Sequence, residues 1–222
     1  MYSLFPSLIG RVGGWFFISL FVIACSSDTE DYDPYHDWQS RNAIWFNQVV
    51  DSARTAIDAA KGSYGDQWEE HCDWRMLKTF TKSPDFRNDV STDYVCAKIL
   101  HRGSGTVFPL YNDSVRINFR GWLMPTQKAN GEMEELVFSQ TYYQDYNADT
   151  ALPQLAAVSN FKAGFATALQ YMVQGDDWMV YIPQQLFYGS SIQGVIPAYS
   201  SVRFRIQLMG VYPLGTSVPD WK

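Results

Sequence analysis

Between Asp37 and Lys61, apolar residues recur every three or four positions, and charged residues fill the gaps. This is the period of an amphipathic helix, and it predicts one helix over residues 37–62. Asp37 is placed to cap the first turn and Gly62 to end the last. The apolar face must be buried, either on the domain that follows or against a second copy of the chain. Packing on the domain is the favoured alternative.

After residue 72 the apolar period changes to two, which is typical of β-strands. The clearest example is Ser114–Leu123, where apolar side chains alternate with polar ones such as Arg116 and Asn118. This pattern predicts an antiparallel strand with one face buried and one polar face. The other predicted strands are Trp74–Thr81, Thr92–His101, Leu136–Phe138, Trp178–Ile182 and Ser201–Met209.

The segments between the strands predict how the sheet is completed. Pro125–Glu135 is polar and contains Asn-Gly, as expected of a hairpin or insertion, and Ser139–Val158 is predicted to be a long tyrosine-rich loop. Phe165–Tyr171 is predicted to be one short helix. The order of elements indicates an α+β fold, in which an antiparallel sheet wraps around one short helix and the N-terminal amphipathic helix precedes it.

Composition excludes some functions. The net charge is −6 and the basic residues are scattered, so the chain has no electrostatic footprint for nucleic acid. Aromatic residues make up 16% of the chain, which suits a packed β-rich core or an aromatic-lined pocket. The histidines share no metal-ligand spacing, and we expect neither a metal nor a cofactor. Cys72 and Cys96 either form a disulfide or stay buried thiols, and the sequence leaves both open.

The N-terminus predicts the compartment. Arg11 precedes an uncharged apolar run, Trp15–Ala24, which is too short to span a bilayer and suits a secretory signal. The run ends in Val22-Ile23-Ala24-Cys25, which resembles the lipobox of bacterial lipoproteins. We therefore expect residues 1–24 to be removed as a signal peptide and Cys25 to be lipidated. The alternatives are an ordinary signal peptide with an incidental cysteine, or an N-terminal membrane anchor.

Residues 25–36 are predicted to be a disordered tether, because they are too polar to bury apolar surface. Their acidic start is similar to the export signals of surface lipoproteins in Bacteroidetes-type bacteria. These features predict a protein of the bacterial cell envelope, lipid-anchored to the outer membrane and either periplasmic or surface-exposed. The sequence leaves the oligomeric state open.

A family resemblance rests on motifs in a fixed order. Ser114–Leu123 is similar to V-x-V-x-Y-x-G-x-L of the FKBP-type peptidyl-prolyl isomerases, and Val137–Gln140 to V/F-F-D-S. Further matches are Phe161–Phe165 to V-I-x-G-W/F, Tyr181–Gly189 to I-P-x-x-L-A-Y-G, and Ile196–Leu208 to I-P-x-x-x-x-L-x-F-x-V-x-L. The resemblance covers about residues 72–214, with 215–222 as a C-terminal tail. The whole chain looks like the FKBP-like lipoproteins of gut Bacteroides-type bacteria.

The resemblance implies a pocket for the X-Pro bond of proline-containing polypeptides. It assigns catalytic roles to Phe165 as the pocket floor, Tyr188 as a hydroxyl donor, and Phe138 and Phe119 as walls. Its substrate-binding positions are Phe161, Lys162 through its backbone, Ser139, Val195, Ile196 and Phe204. Phe161 and Val195 are expected at the rim. Each aromatic also has the simpler interpretation of β-sheet core.

Three departures from the family pattern matter. Phe119 stands in place of a tyrosine, Ser139 in place of an aspartate that faces the proline cavity, and Phe187 in place of an alanine. The loss of the carboxylate predicts reduced turnover. The sequence therefore leaves three functions open, namely a lipid-anchored isomerase or folding factor for envelope proteins, a catalytically weak binding or chaperone module, and a glycan-binding accessory lipoprotein. The last would use Tyr142, Tyr143 and Tyr146, which have the alternative role of covering the sheet.

Overall fold

The computed structural model describes residues 32–83, 85 and 89–221, and from Asp33 onward they belong to one compact unit. The predicted signal peptide, Cys25 and the tether up to residue 31 lie outside the described residues. Within these residues, we find no helix that combines the length and the apolar character needed to cross a membrane.

Helix α1 spans Trp38–Tyr64, so the predicted end at Gly62 is wrong. A glycine costs only about 1 kcal/mol inside a helix, and α1 continues past it until Gly65 donates its amide to the Lys61 carbonyl. The predicted cap is also absent, because Asp37 has a left-handed backbone (φ 50°) and its side chain makes no capping hydrogen bond.

The buried face of α1 packs on the sheet, which confirms the favoured alternative. Phe46, Val50 and Ala53 form a cluster with Cys96, and Ile57 lies in a second cluster with Cys72. Both cysteines are free and buried. They are small apolar side chains beneath the helix and form no disulfide.

The strands and remaining helices follow in chain order. The strands are β1 (Trp74–Lys78), β2 (Tyr94–His101), β3 (Ser114–Leu123), β4 (Thr126–Gln127), β5 (Met133–Glu134), β6 (Val137–Gln140), β7 (Gln154–Ala157), β8 (Asp177–Ile182) and β9 (Val202–Tyr212). The helices are α2 (Trp68–His71) and α3 (Ala163–Leu169), with 3₁₀ turns at Gly65–Gln67, Ser91–Asp93, Val158–Asn160 and Gln184–Leu186. Strands β4 and β5 form the predicted hairpin.

The main sheet has the strand order β1-β2-β8-β9-β3-β6, and every pair is antiparallel. Strand β7 pairs with the first half of β3, on the edge that β6 occupies farther along. Strand β9, the last of the described strands, therefore lies in the middle of the sheet, between β8 and β3.

Helix α3 packs on the sheet face opposite to α1, and all its residues from Gly164 onward are buried. Gly164 permits the close approach, since a Cβ there would collide with Ile182 Cγ2 and lie 3.2 Å from Leu186 Cβ. The predicted helix Phe165–Tyr171 was placed too late. Neither end of α3 has a side-chain cap that would have marked it, and Tyr171 lies beyond its end.

The second face of β3 is covered, which corrects the prediction of a half-buried strand. Arg116 and Asn118 are both buried. The Arg116 guanidinium donates to the Pro219 carbonyl and lies 5.5 Å from the Trp221 ring centroid, so the C-terminal tail covers it. Asn118 Oδ1 accepts a hydrogen bond of 3.1 Å from Thr141 Oγ1.

The predicted loop 139–158 contains β7, which was missed, and two of its tyrosines cover the sheet. Tyr142 is buried, and the Tyr146 hydroxyl lies 3.3 Å from Met209 Sδ on β9. Tyr143 alone of the three is largely exposed, at 79%. An exposed tyrosine cluster for glycans is therefore not what this segment forms.

Candidate functional site

Aromatic side chains from several elements enclose a cavity of about 500 Å³. Strand β3 contributes Phe119, β6 contributes Phe138, and α3 contributes Phe165. Phe204 comes from β9, and Tyr188 follows the turn after β8. The sheet and the helix therefore fix the cavity from different sides.

Phe204 is the centre of this aromatic cluster. Its ring centroid lies 4.9 Å from that of Phe165, 5.3 Å from that of Phe138 and 5.9 Å from that of Phe187, with steep interplanar angles. Phe161 stacks on Phe165 at 4.6 Å. Edge-to-face and stacked pairs of this kind hold the rings in defined orientations, so the floor of the cavity is preorganised.

A glycine on β3 makes room for these rings. A Cβ on Gly121 would collide with the Phe204 ring and lie 2.9 Å from Phe138 Cζ. Glycine inside a strand often marks such a close approach. The sequence of β3 therefore specifies where the two rings can sit.

The loop between β8 and β9 forms the remaining wall and is fixed by its own hydrogen bonds. The Gly189 amide donates to the Gln184 carbonyl at 2.8 Å, and the Tyr199 amide donates to the Gly189 carbonyl at 2.7 Å. Gln193 and Ile196 bond to each other through their backbones. Gly189 has a positive φ of 57°, a conformation that glycine adopts without strain.

The first turns of α1 hold the end of this loop. Trp38 Nε1 donates to Ser200 Oγ at 2.8 Å, and Asn42 Oδ1 accepts from the Ser201 amide at 2.9 Å. Ser200 Oγ in turn donates to the Pro197 carbonyl at 2.6 Å. These side chains are buried, so the N-terminal helix is part of the framework of the site.

Polar groups lie among the rings. Of the described residues that line the cavity, Lys162 has the one charged side chain, and its Nζ lies 4.7 Å from the Tyr188 ring centroid. Within the described part of the chain, the Lys162 amide has no hydrogen-bond partner and is free to donate to a ligand. The neutral polar residues are Ser139, Gln154, Asn160 and Gln193.

The structure gathers all but one of the predicted site residues around the cavity. Phe119, Phe138, Ser139, Phe161, Lys162, Phe165, Tyr188, Ile196 and Phe204 line it. Val195 does not, and its side chain is 60% exposed. Prediction from the sequence missed Gln154, Asn160 and Gln193, since no motif marks them. Phe187 was noted only as a substitution, and the structure makes it a wall.

Among the described residues, the groups with clearly shifted pKa values lie outside the cavity. Hydrogen bonds to Asp177 raise the pKa of Arg205, and burial raises the pKa of Tyr142 and Tyr146 beside them. These residues cover the sheet face that points away from Phe204. The site is therefore suited to binding a ligand through the shape of its walls and to withdrawing that ligand from water.

A larger depression of about 940 Å³ runs beside α1 and the edge strand β1. Its walls carry charges of both signs, including Arg75, whose guanidinium donates to the carbonyls of Cys72, Trp74 and Glu69. The Arg75 guanidinium is thus already engaged with the backbone. The aromatic cavity is the better candidate for a functional site.

The residues around the site are similar to those of one protein family. Residues 105–209 match the family model described as FKBP-type peptidyl-prolyl cis-trans isomerase. A macrophage infectivity potentiator of Trypanosoma cruzi is 29% identical over 111 residues, 50% of this chain and 49% of that protein. The peptidyl-prolyl cis-trans isomerase Mip of Coxiella burnetii is 31% identical over 115 residues, 51% of this chain and 43% of that protein. The chain thus matches about half or less of the length of these curated relatives.

Solved structures give lower identities. A peptidyl-prolyl cis-trans isomerase of Pseudomonas syringae is 21% identical with a TM-score of 0.44, over 75% of this chain and 95% of that one. The structure of the three FKBP domains of wheat FKBP73 is 19% identical with a TM-score of 0.45, over 62% of this chain and 50% of that one.

Proposed function

We propose that residues 105–209, which match the FKBP-type peptidyl-prolyl cis-trans isomerase family model, form such a domain, and that its aromatic cavity binds X-Pro segments and accelerates their cis/trans exchange. The observation that carries the proposal is the enclosed ring of aromatic side chains around a cavity of about 500 Å³, lined by all but one of the residues that the family motifs select.

The chemistry of the X-Pro bond fits such a cavity. Rotation is slow because amide resonance must be lost, with a barrier of about 20 kcal/mol. In the twisted transition state the bond loses its double-bond character and its polarity falls. Aromatic rings that withdraw the bond from water therefore stabilise the transition state more than the hydrated ground state. No proton needs to move, so the cavity needs no acid or base.

The described residues supply the contacts that orient the peptide. Phe165 and Phe204 form the floor for the proline ring. The Tyr188 hydroxyl donates to the carbonyl of the residue before proline, and the free Lys162 amide donates to the peptide backbone beyond it. These two donors flank the floor and hold the bond to be rotated over it.

A direct test is the exchange rate of a short X-Pro peptide, measured by NMR exchange or a coupled protease assay with the purified chain. Phe165→Ala is expected to lower kcat/KM about ten-fold or more, a loss of about 1.4 kcal/mol of transition-state stabilisation. Tyr188→Phe, which keeps the ring, is expected to lower it about two- to ten-fold, as for one neutral hydrogen bond. Tyr143→Phe is the matched control, since Tyr143 is largely exposed and outside the cavity. No acceleration by the wild-type chain would overturn the proposal.

A second function, binding of proline-containing segments with little turnover, is favoured by two side chains. Ser139 lines the cavity where the family motif has an aspartate carboxylate. The Phe187 ring, where the motif has an alanine, lies 5.9 Å from the Phe138 ring and narrows the cavity. For this function we expect a proline peptide to bind without faster exchange. Ser139→Asp should then raise the exchange rate. An unchanged rate would show that the missing carboxylate is not the cause of the slow exchange.

We further propose that the protein is lipid-anchored through Cys25 in the bacterial cell envelope, at the outer membrane, with proline-containing envelope proteins as its clients. The support is the sequence alone: the apolar run Trp15–Ala24, the lipobox-like end and the polar stretch after it. Mass spectrometry of the mature N-terminus should find a lipid on Cys25, and Cys25→Ser should release the protein from the membrane fraction. A mature protein with an unmodified Cys25 would overturn the anchoring.

A further inference from the structure

One positively charged side chain, Lys162, stands at the mouth of the aromatic cavity. Lys162 extends over the face of the Tyr188 ring, with Nζ 4.7 Å from the centroid. No carboxylate of the described residues lies within ion-pair distance of this ammonium, and the other residues that line the cavity are neutral. The mouth of the site therefore carries one uncompensated positive charge in a chain whose net charge is −6.

Two departures from the family motifs produce this charge. Ser139 removes a carboxylate that the motif V/F-F-D-S contains, and Lys162 adds an ammonium where V-I-x-G-W/F has an aliphatic residue. Both residues line the same cavity. Relative to the motifs, the formal charge of the site thus moves from negative to positive, and both changes act in the same direction.

We propose that the site prefers X-Pro segments in which the residue before proline is acidic, and that the Lys162 ammonium selects it. The inference rests on the proposed function, because it takes the Tyr188 hydroxyl as the donor to the carbonyl of residue X. That carbonyl at the Tyr188 hydroxyl brings the side chain of X to the same tyrosine, where the Lys162 ammonium lies. Glu or Asp at X then forms an ion pair that Gln, Leu or Lys at X cannot form.

The expected size of the preference follows from exposure. The Lys162 side chain is exposed, so its ion pair with the substrate is screened by solvent and salt. Exposed pairs of this kind change an equilibrium about two- to five-fold. We therefore expect kcat/KM for a Glu-Pro peptide to exceed that for its Gln-Pro counterpart by this factor at low salt, and a Lys-Pro peptide to be the poorest of the three.

The test compares Glu-Pro, Gln-Pro and Lys-Pro peptides of otherwise identical sequence, with the wild-type chain and with Lys162→Met. The ratio of kcat/KM for Glu-Pro over Gln-Pro should fall to about one in Lys162→Met and should decline with salt in the wild type. The ratio is measured within one protein sample, so it does not depend on how much of the variant is folded.

Lys98→Met is the matched control. Lys98 is also an exposed lysine over an aromatic ring, with Nζ 5.9 Å from the Trp74 centroid, but it lies on β2 outside the cavity. Its loss should leave the ratio unchanged. A wild-type ratio of one, or a ratio that Lys162→Met and Lys98→Met lower equally, overturns the inference while leaving the isomerase proposal standing.

The two proposals fail differently. If no peptide is accelerated, the isomerase proposal fails, and equilibrium binding of the Glu-Pro and Gln-Pro peptides decides the inference instead. Tighter binding of Glu-Pro that disappears in Lys162→Met supports it, and equal binding of the two peptides overturns it.

Discussion

The hydrogen bond between α1 and the loop before β9 makes a sharp prediction. Asn42→Ala removes the Oδ1 atom that accepts a hydrogen bond of 2.9 Å from the Ser201 amide. Both residues are almost completely buried, with 1% and 2% of their surfaces exposed. Water therefore cannot replace the lost acceptor unless the helix moves away from the loop. The variant should lower the free energy of unfolding and loosen the cavity wall together.

The magnitude follows from the unpaired amide. A buried donor left without a partner costs about 1–3 kcal/mol. With a urea m-value of about 2 kcal/mol per molar for a domain of this size, the unfolding midpoint should fall by about 0.5–1.5 M. The Ser201 amide should also exchange its hydrogen faster, because its local protection depends on this bond.

The assay is urea unfolding followed by tryptophan fluorescence, with amide hydrogen exchange read at Ser201. Ser52→Ala is the control on the same helix, since the exposed Ser52 Oγ donates only to the Gln48 carbonyl one turn back. It should leave the midpoint nearly unchanged. An Asn42→Ala variant within about 0.5 kcal/mol of the wild type, below the cost of an unpaired buried amide, would refute the reasoning.

Three further predictions concern glycines and a thiol. Gly164→Ala should destabilise the fold by about 1–3 kcal/mol through overpacking. Gly62→Ala, with open space around it in α1, should stabilise the fold by about 0.5–1 kcal/mol. The two variants should therefore shift the thermal unfolding temperature in opposite directions, and shifts of the same sign would contradict this prediction. Gly121→Ala should displace the Phe204 ring and weaken the binding of a proline peptide, as measured by calorimetry. An unchanged affinity would show that peptide binding does not depend on the position of the Phe204 ring. Burial raises the pKa of the Cys96 thiol from its ordinary 9.0 to about 12, so Cys96 should resist alkylation until the chain unfolds, as followed by mass spectrometry of the Cys96 peptide. The unfolded thiol loses its proton first, so the contribution of Cys96 to stability should fall as the pH rises from about 9 towards 12. Fast alkylation of Cys96 in the native chain would contradict this burial.

Local pattern predicted most of the sheet, because β3 and β9 alternate apolar and polar residues and β8 is a short apolar run. The prediction failed where distant residues cover a surface. Arg116 and Asn118 have the sequence signature of a solvent face, yet the C-terminal tail and Thr141 bury them. Strand β7 was missed because Gln154–Ala157 is short, half exposed and lacks β-branched residues. Its strand conformation comes from pairing with β3.

The candidate site shows the same limit. Its aromatic residues stand in motifs with fixed spacing, so the sequence was enough to select them. Gln154 and Asn160 line the cavity because β7 and the turn after it lie beside β3, a placement that no local pattern encodes. The position of the Lys162 ammonium over Tyr188 likewise depends on how α3 and the β8–β9 loop pack together.

The place of β9 in the sheet has a consequence for how the chain folds during synthesis. In the described part of the chain, the strands β1, β2 and β8 form one ladder and β3, β6 and β7 another, and β9 is the strand that joins them. The two ladders cannot unite until the ribosome has released residues 202–212. Phe204, the centre of the aromatic cluster, lies on that same strand. The growing polypeptide therefore carries no completed cavity until β9 has emerged, and folding waits for long-range strand pairing, which is intrinsically slow.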